Sequence, residues 1–340
     1  MGAELFAAGC AGCHGPEGSG APDATVGFEK PSTYPDFTGC NQTSPEVEAN
    51  WAAVIHDGGR ARGFSPIMPA FRDLLTSEQI TSLVKYIRGL CKDPAWAVGE
   101  LNLPRPLVTE KAFPESEWVM ASSVSTGHPH DSTTTLTYER RISARNQIEI
   151  AIPFAVAHEP TGGSRTGIGD LGFGLKHVMF SSNSTIVSAQ GEVAVPTGNA
   201  DAGLGSGVTV FEGFAAFGQR IGSATFVQGQ AGGEFPTDTE KAPKAVFGRM
   251  AVGHMLRQDG GLGRMWVPML ELVADRDLED GAKTNVDLVP EMQVTLNKRQ
   301  HIRLGAGVQM PVNNREGRSK QFMFYVLWDW FDGGFFDGWK

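Results

Sequence analysis

Long apolar runs are the first thing this chain lacks: nowhere in its 340 residues does it approach the roughly 18 to 20 consecutive apolar residues of a membrane-crossing helix. A helical membrane protein is thereby excluded. An outer-membrane barrel is not, because its strands alternate and never form such a run. Positive charge is also short, with 29 Lys and Arg against 38 Asp and Glu, a net charge of −9 and a pI near 5.4. That balance argues against nucleic acid or an anionic lipid surface as the main partner. Cysteine is scarce: there are four, and none follows Cys91. A charged-then-apolar export leader is missing too, since Met1-Gly2-Ala3-Glu4-Leu5-Phe6 reads as the start of a helix.

The length leads us to expect two folding units, and the text changes character where the second would begin. Residues 1–91 hold all the cysteines and helix-like patterns. The stretch 92–117 carries Pro94, Pro104 and Pro106 and reads as an extended linker. From about Trp118 the apolar residues recur with period 2, broken by Gly, Asn, Asp and Ser clusters. The expectation is an all-α domain over 1–91 and an all-β domain over 118–340.

The chemistry of the first domain is concentrated in Cys10-Ala11-Gly12-Cys13-His14. C-x-x-C-H is the spacing at which two thiols bind a haem c covalently while the adjacent histidine reaches the iron from one face. A zinc knuckle would need a second close ligand pair, which the distant Cys40 and Cys91 do not form. Such haem is attached outside the cytoplasmic membrane, so the chain as given is expected to be a mature or truncated form with its leader lost. In that oxidising compartment Cys40 and Cys91 are expected to pair, closing a loop of about 50 residues worth on the order of 4 kcal/mol.

Residues 1–91 resemble class I cytochrome c. Gly2 and Phe6 stand where that family has its first helix, and Ser65-Pro66-Ile67-Met68-Pro69-Ala70-Phe71 resembles its distal loop. The resemblance implies Met68 as second axial ligand to the haem iron opposite His14. His56 lies in the same interval and keeps a bis-histidine haem open, against the reading of His56 as a hydrogen-bonded loop residue. After the loop, Ser77 is expected to cap a helix whose apolar stripe is Leu83, Tyr86, Ile87 and Leu90.

The second domain divides into about twelve alternating segments, near 118–126, 132–143, 146–158, 167–180, 184–196, 206–218, 221–235, 244–257, 263–275, 284–297, 300–312 and 320–331. Each can cross the apolar band of an outer membrane, which needs about 9 to 11 tilted residues. Ile148, Ile150, Ile152, Phe154 and Val156 line one face of one segment. On the polar face fall Glu139, Arg141, Glu149, Lys176, Glu192, Arg249, Glu271, Asp287, Glu291 and Arg303, expected to face a lumen. A soluble sandwich also alternates. The connections separate the two, being alternately short (Ala144-Arg145, Arg220-Ile221, Lys298-Arg299) and long and polar, as in outer-membrane barrels. The run Gly167-Ile168-Gly169-Asp170-Leu171-Gly172-Phe173-Gly174-Leu175-Lys176 resembles the outer-membrane transporter family of the MetA pathway of phenol degradation. The aromatic end with Phe322, Phe324, Trp328, Trp330 and Phe331 resembles a girdle-rich last strand.

The whole plan is similar to cytochrome-porin fusions. It implies an electron-transfer protein rather than an enzyme, with one covalent haem c, in the bacterial outer membrane with the haem domain at the periplasmic mouth. Periplasmic electron carriers, outer-membrane lipid and a small redox solute are the expected partners. Two alternatives stay open: a transport pore for a small organic solute with an accessory cytochrome, and an iron oxidase of the cytochrome-porin kind. A soluble periplasmic haem protein is the third class, separable by fractionation. His128-Pro129-His130-Asp131, expected in an outward loop, is either a solvated turn or a meeting point for Fe(II).

Overall fold

The computed structural model of the chain describes residues 1–23, 25–127, 131–158, 163–257 and 264–329. His128 and His130 lie outside them, as do Trp330 and Phe331.

The first domain is built from α1 (Gly2–Gly9), α2 (Ala11–His14), α3 (Cys40–Thr43), α4 (Glu48–Asp57) and α5 (Ser77–Arg88). Phe6 of α1 packs into a core with Phe37, Ile55, Ile80, Leu83, Val84 and Ile87. α1 crosses α5 so closely that a Cβ at Gly2 would collide with the Ser82 carbonyl and the Tyr86 side chain. Thr76, not Ser77, caps α5: its hydroxyl accepts from the Gln79 amide while the Gln79 side chain accepts from the Thr76 amide. This capping box fixes the start one residue earlier than the hydroxyl of Ser77 alone suggests, because only Thr76 has a glutamine three residues on. Cys40 and Cys91 are disulfide bonded as expected, tying the start of α3 to the segment just after α5.

The second domain is a closed antiparallel barrel. Its fourteen strand segments among the described residues are β1 (Ser116–Ser125), β2 (Ser132–Arg141), β3 (Asn146–His158), β4 (Ser164–Ile168), β5 (Leu171–Ser181), β6 (Thr185–Val195), β7 (Val210–Ile221), β8 (Thr225–Pro236), β9 (Ala245–His254), β10 (Leu256–Arg257), β11 (Met265–Asp277), β12 (Asn285–Thr295), β13 (Ile302–Pro311) and β14 (Gln321–Asp329). β4 and β5 are two parts of one stave, both paired with β3, and β9 and β10 are two parts of another, both paired with β11. That leaves twelve staves, closed by β14 on β1. The expected strand over 167–180 breaks at Gly169, whose amide turns to the Pro153 carbonyl. The expected turn at 220–221 lies instead at 222–224, where Gly222 takes a φ of +67° and Ile221 still pairs with Thr225.

Alternation orients every stave. Ile148, Ile150, Phe154, Phe173, Leu270 and Phe322 stand exposed on the outside, an apolar belt with no aqueous rationale. Glu139, Lys176, Glu271, Asp287 and Glu291 are buried inside.

The stretch between the domains is not the free linker expected for 92–117. After a single turn of 3-10 helix at Gly99–Leu101 it enters the lumen. Leu103 packs on Phe226, Val267 and Met269, and Leu107 on Val119, Tyr325 and Leu327. Ala112 and Phe113 join Val178, Ile186, Phe214 and Phe247. Proline made the stretch irregular, as read. What period-based reading could not see is that an irregular backbone inside a polar barrel finds partners on the wall.

Candidate functional site: a haem cleft at the barrel mouth

Cys10, Cys13 and His14 line a cleft of about 470 Å³ between the helical domain and the barrel mouth. α1 ends at Gly9, and α2 carries Cys13 and His14 into the cleft wall. The disulfide takes Cys40 and Cys91, which leaves the thiols of Cys10 and Cys13 to add to haem vinyl groups. Burial, and then the neighbouring Cys13, push the Cys10 thiol up to about 11. His14 is sandwiched by Tyr34, ring centroids 5.3 Å apart, and Phe37 at 4.7 Å. Burial lowers its pKa to about 4, so at neutral pH it is the uncharged imidazole that ligates metals.

Met68 lines the same cleft. Its loop is held from behind by two glycines. Gly58 adopts a φ of +81°, and the Gly59 amide donates to the Met68 carbonyl at 3.1 Å. A Cβ on Gly59 would collide with the Ser65 carbonyl, so this loop closes only over glycine. His56 is turned away: it is half-exposed, its Nδ1 lies 3.1 Å from Asp57, and it does not line the cleft. The geometry therefore brings His14 and Met68 to one cavity and leaves the rival histidine outside.

The residues present fit a haem. The rest of the lining is largely apolar and aromatic, with Phe37, Trp51, Val54, Ile55 and Ile87. Two buried polar atoms in it, His14 Nδ1 and Trp51 Nε1, have no hydrogen-bond partner among the described residues. Groups of this kind are costly to bury alone and mark a cavity that a polar-edged group completes.

Residues of the 92–117 stretch and of the barrel rim also reach this cleft. Trp96, Glu115, Ser116, Arg140, Arg141 and Arg299 form its lower wall. Arg141, expected in the lumen, stacks on Trp96 at 4.2 Å and donates to the carbonyls of Ser143 and Ala144. Arg299 stacks on Phe64 at 4.3 Å and donates to the Gly63 carbonyl at 2.9 Å. His301 lies 3.9 Å from Glu46 of the helical domain. The domain thus sits outside the lumen, on the end of the barrel that carries the short turns.

The lumen below is polar and filled. Arg105 bonds Glu117 at 3.0 Å, Glu139 at 2.7 Å and Glu110 at 3.2 Å. The amides of Leu107, Val108 and Thr109 donate to Glu291 and Glu271, and that of Glu110 to Gln230. Tyr325 donates to the Arg105 carbonyl at 2.6 Å. Carboxylates stand directly opposite one another across adjacent strands: Glu117 faces Glu139, which faces Glu149, and Glu192 faces Glu212, which faces Glu234. Like charges so placed repel. The guanidinium of Arg105 offsets that at the foot of the series. No group of three or more His, Cys, Asp or Glu able to hold a metal ion occurs among the described residues.

Residues 1–90 match the family model for cytochrome c, so the helical domain is a cytochrome c domain, which implies haem c and electron transfer. No curated protein matches the chain. Solved structures similar to it include KdgM porin, 7% identical over 63% of this chain and 99% of that one with a TM-score of 0.44. The COG4313 outer membrane channel from Pseudomonas putida F1 is 14% identical over 67% of this chain and all of that one, with a TM-score of 0.46. NanC porin is 8% identical over 63% and 99%, with a TM-score of 0.45.

Proposed function

We propose that this protein is a single-haem electron carrier anchored in the outer membrane, with its haem at the periplasmic mouth of the barrel. The observation that carries this reading is the cleft in which Cys10, Cys13, His14 and Met68 meet against the short-turn end of the barrel. His14 and Met68 would both hold the haem iron, and the group so held would supply outer-sphere electron exchange. The residues around it do the rest: the apolar lining excludes water, the Gly58-Gly59 turn sets Met68, and Tyr34 and Phe37 hold the His14 ring. Short turns face the periplasm in outer-membrane barrels, which puts periplasmic electron carriers within reach. One haem at that mouth does not span an apolar band about 25 Å tall. Residues 103–115, which cross the lumen, support a barrel that serves as anchor and restricted channel, admitting at most a small redox solute.

The test uses the full-length protein reconstituted in one orientation in liposomes. A membrane-impermeant reductant on the cytochrome side should reduce the haem completely, and the same reductant on the other side should leave it oxidised. Equal reduction from both sides would defeat the reading. Met68→Ala should abolish the near-infrared sulfur-to-iron band while leaving haem attachment intact.

A further inference from the structure

The barrel rim finishes the haem site with positive charge. Arg299 sits in the turn between β12 and β13, is 3% exposed, and lines the cleft. Only one end of its guanidinium is used, by the Gly63 carbonyl; Nε and Nη1 are buried without a hydrogen-bond partner among the described residues. Arg141, from the end of β2, repeats the pattern: Nε and Nη2 are bonded to carbonyls, and Nη1 is buried and unpartnered. Stacking on Phe64 and on Trp96 holds both guanidinium planes in place. A buried cation with unused donors costs several kcal/mol unless an anion or acceptor meets it. Two at one cavity wall, both locked by aromatic rings, specify a carboxylate-bearing ligand, since the guanidinium fork matches carboxylate geometry.

We infer that Arg299 and Arg141 of the barrel rim bind the propionate carboxylates of the haem held by Cys10, Cys13 and His14, and so set its potential. This rests on the haem reading above. It makes the barrel part of the cofactor site: positive charge beside the propionates favours the ferrous state, and undocking the domain would remove it. The arginines would hold the carboxylates and not the iron.

The experiment is potentiometric titration of full-length protein in detergent for Arg299→Met, Arg299→Lys, Arg141→Met and the exposed control Arg315→Gln. Methionine keeps the packing on Phe64 and removes the charge, and lysine does the reverse. Arg299→Met should shift the oxidised-to-reduced ratio at fixed potential toward oxidised by about tenfold, which is about 59 mV for one electron. Arg141→Met should shift it in the same direction, Arg299→Lys should recover most of the wild-type value, and Arg315→Gln should leave it unchanged. An unchanged potential in both methionine variants would overturn the inference, and so would a lysine variant as displaced as the methionine one. Absence of covalent haem in wild-type protein would instead overturn the reading on which it rests.

Discussion

The helical domain and the barrel are specified by different kinds of information. In the first, single residues decide: Gly2 permits one helix crossing, Gly59 permits one loop, and Cys10, Cys13 and His14 define one site. In the second no residue is decisive, and the fold follows from alternation repeated over twelve staves. The lesson is that a motif localises chemistry to the residue, whereas a period fixes only which face each residue takes. Residues 103–115 belong to neither, being irregular backbone with wall-bonded amides.

That comparison is broken most severely at Arg105, which joins the irregular segment to the wall. Arg105→Met removes the cation shared by Glu110, Glu117 and Glu139. Stranding buried carboxylates costs roughly 3–5 kcal/mol. The variant barrel should lose its heat resistance in gel-mobility assays and conduct more freely in planar bilayers, while its haem spectrum stays native. Retained stability would show that the lumen contacts are ornamental to the fold.

Removing the disulfide acts on the other side of the divide. Cys40→Ser with Cys91→Ser opens a loop of 51 residues, which the chain-entropy model values at about 4 kcal/mol. Calorimetry should show the haem-domain transition falling and the barrel transition fixed. If both transitions fell together, the two regions would be one cooperative unit.

Next in size is the lipid face. Lysine at Ile150 or Leu270, both exposed on the outside, should disfavour insertion by roughly 2–4 kcal/mol near the midplane. Lysine at Gln190, whose side chain faces inward between Glu149 and Glu192, should be tolerated. Equal sensitivity of the two faces, measured by folding into vesicles, would reverse the assignment of inside and outside.

How far each region was legible follows from the same contrast. The disulfide partners were readable because Cys40 and Cys91 are the two cysteines left outside the C-x-x-C-H spacing, and the inward glutamates because they follow a two-residue period. The turn at 222–224 was displaced because Arg220 and Ile221 continue the strand, and only the backbone freedom of Gly222 ends it. The lumen path of 103–115 was invisible, since many of its contacts join residues more than 100 positions apart, such as Leu107 with Glu291. The role of Arg299 was hidden for the same reason: a rim turn and the cysteine motif share no sequence neighbourhood.

The smallest effect tests the local kind of information at its finest grain, at the start of α5. Thr76→Ala removes the hydroxyl that accepts from the Gln79 amide and breaks the reciprocal bond back to the Thr76 amide, a loss of about 1 kcal/mol. Ser77, one residue on, is the first residue inside the helix, and its hydroxyl plays no part in the capping box. Ser77→Ala should therefore be neutral or slightly stabilising, because alanine is the better helix former. α5 carries Leu83, Val84 and Ile87 into the core that also holds Phe6, so fraying its first turn should lower the denaturant midpoint of the Soret transition and leave the barrel untouched. The reverse ranking, with Ser77→Ala the more damaging, would place the cap one residue later than the capping box does. It would also show that even in the motif-driven half of the molecule the boundary of an element depends on more than the two side chains that close it.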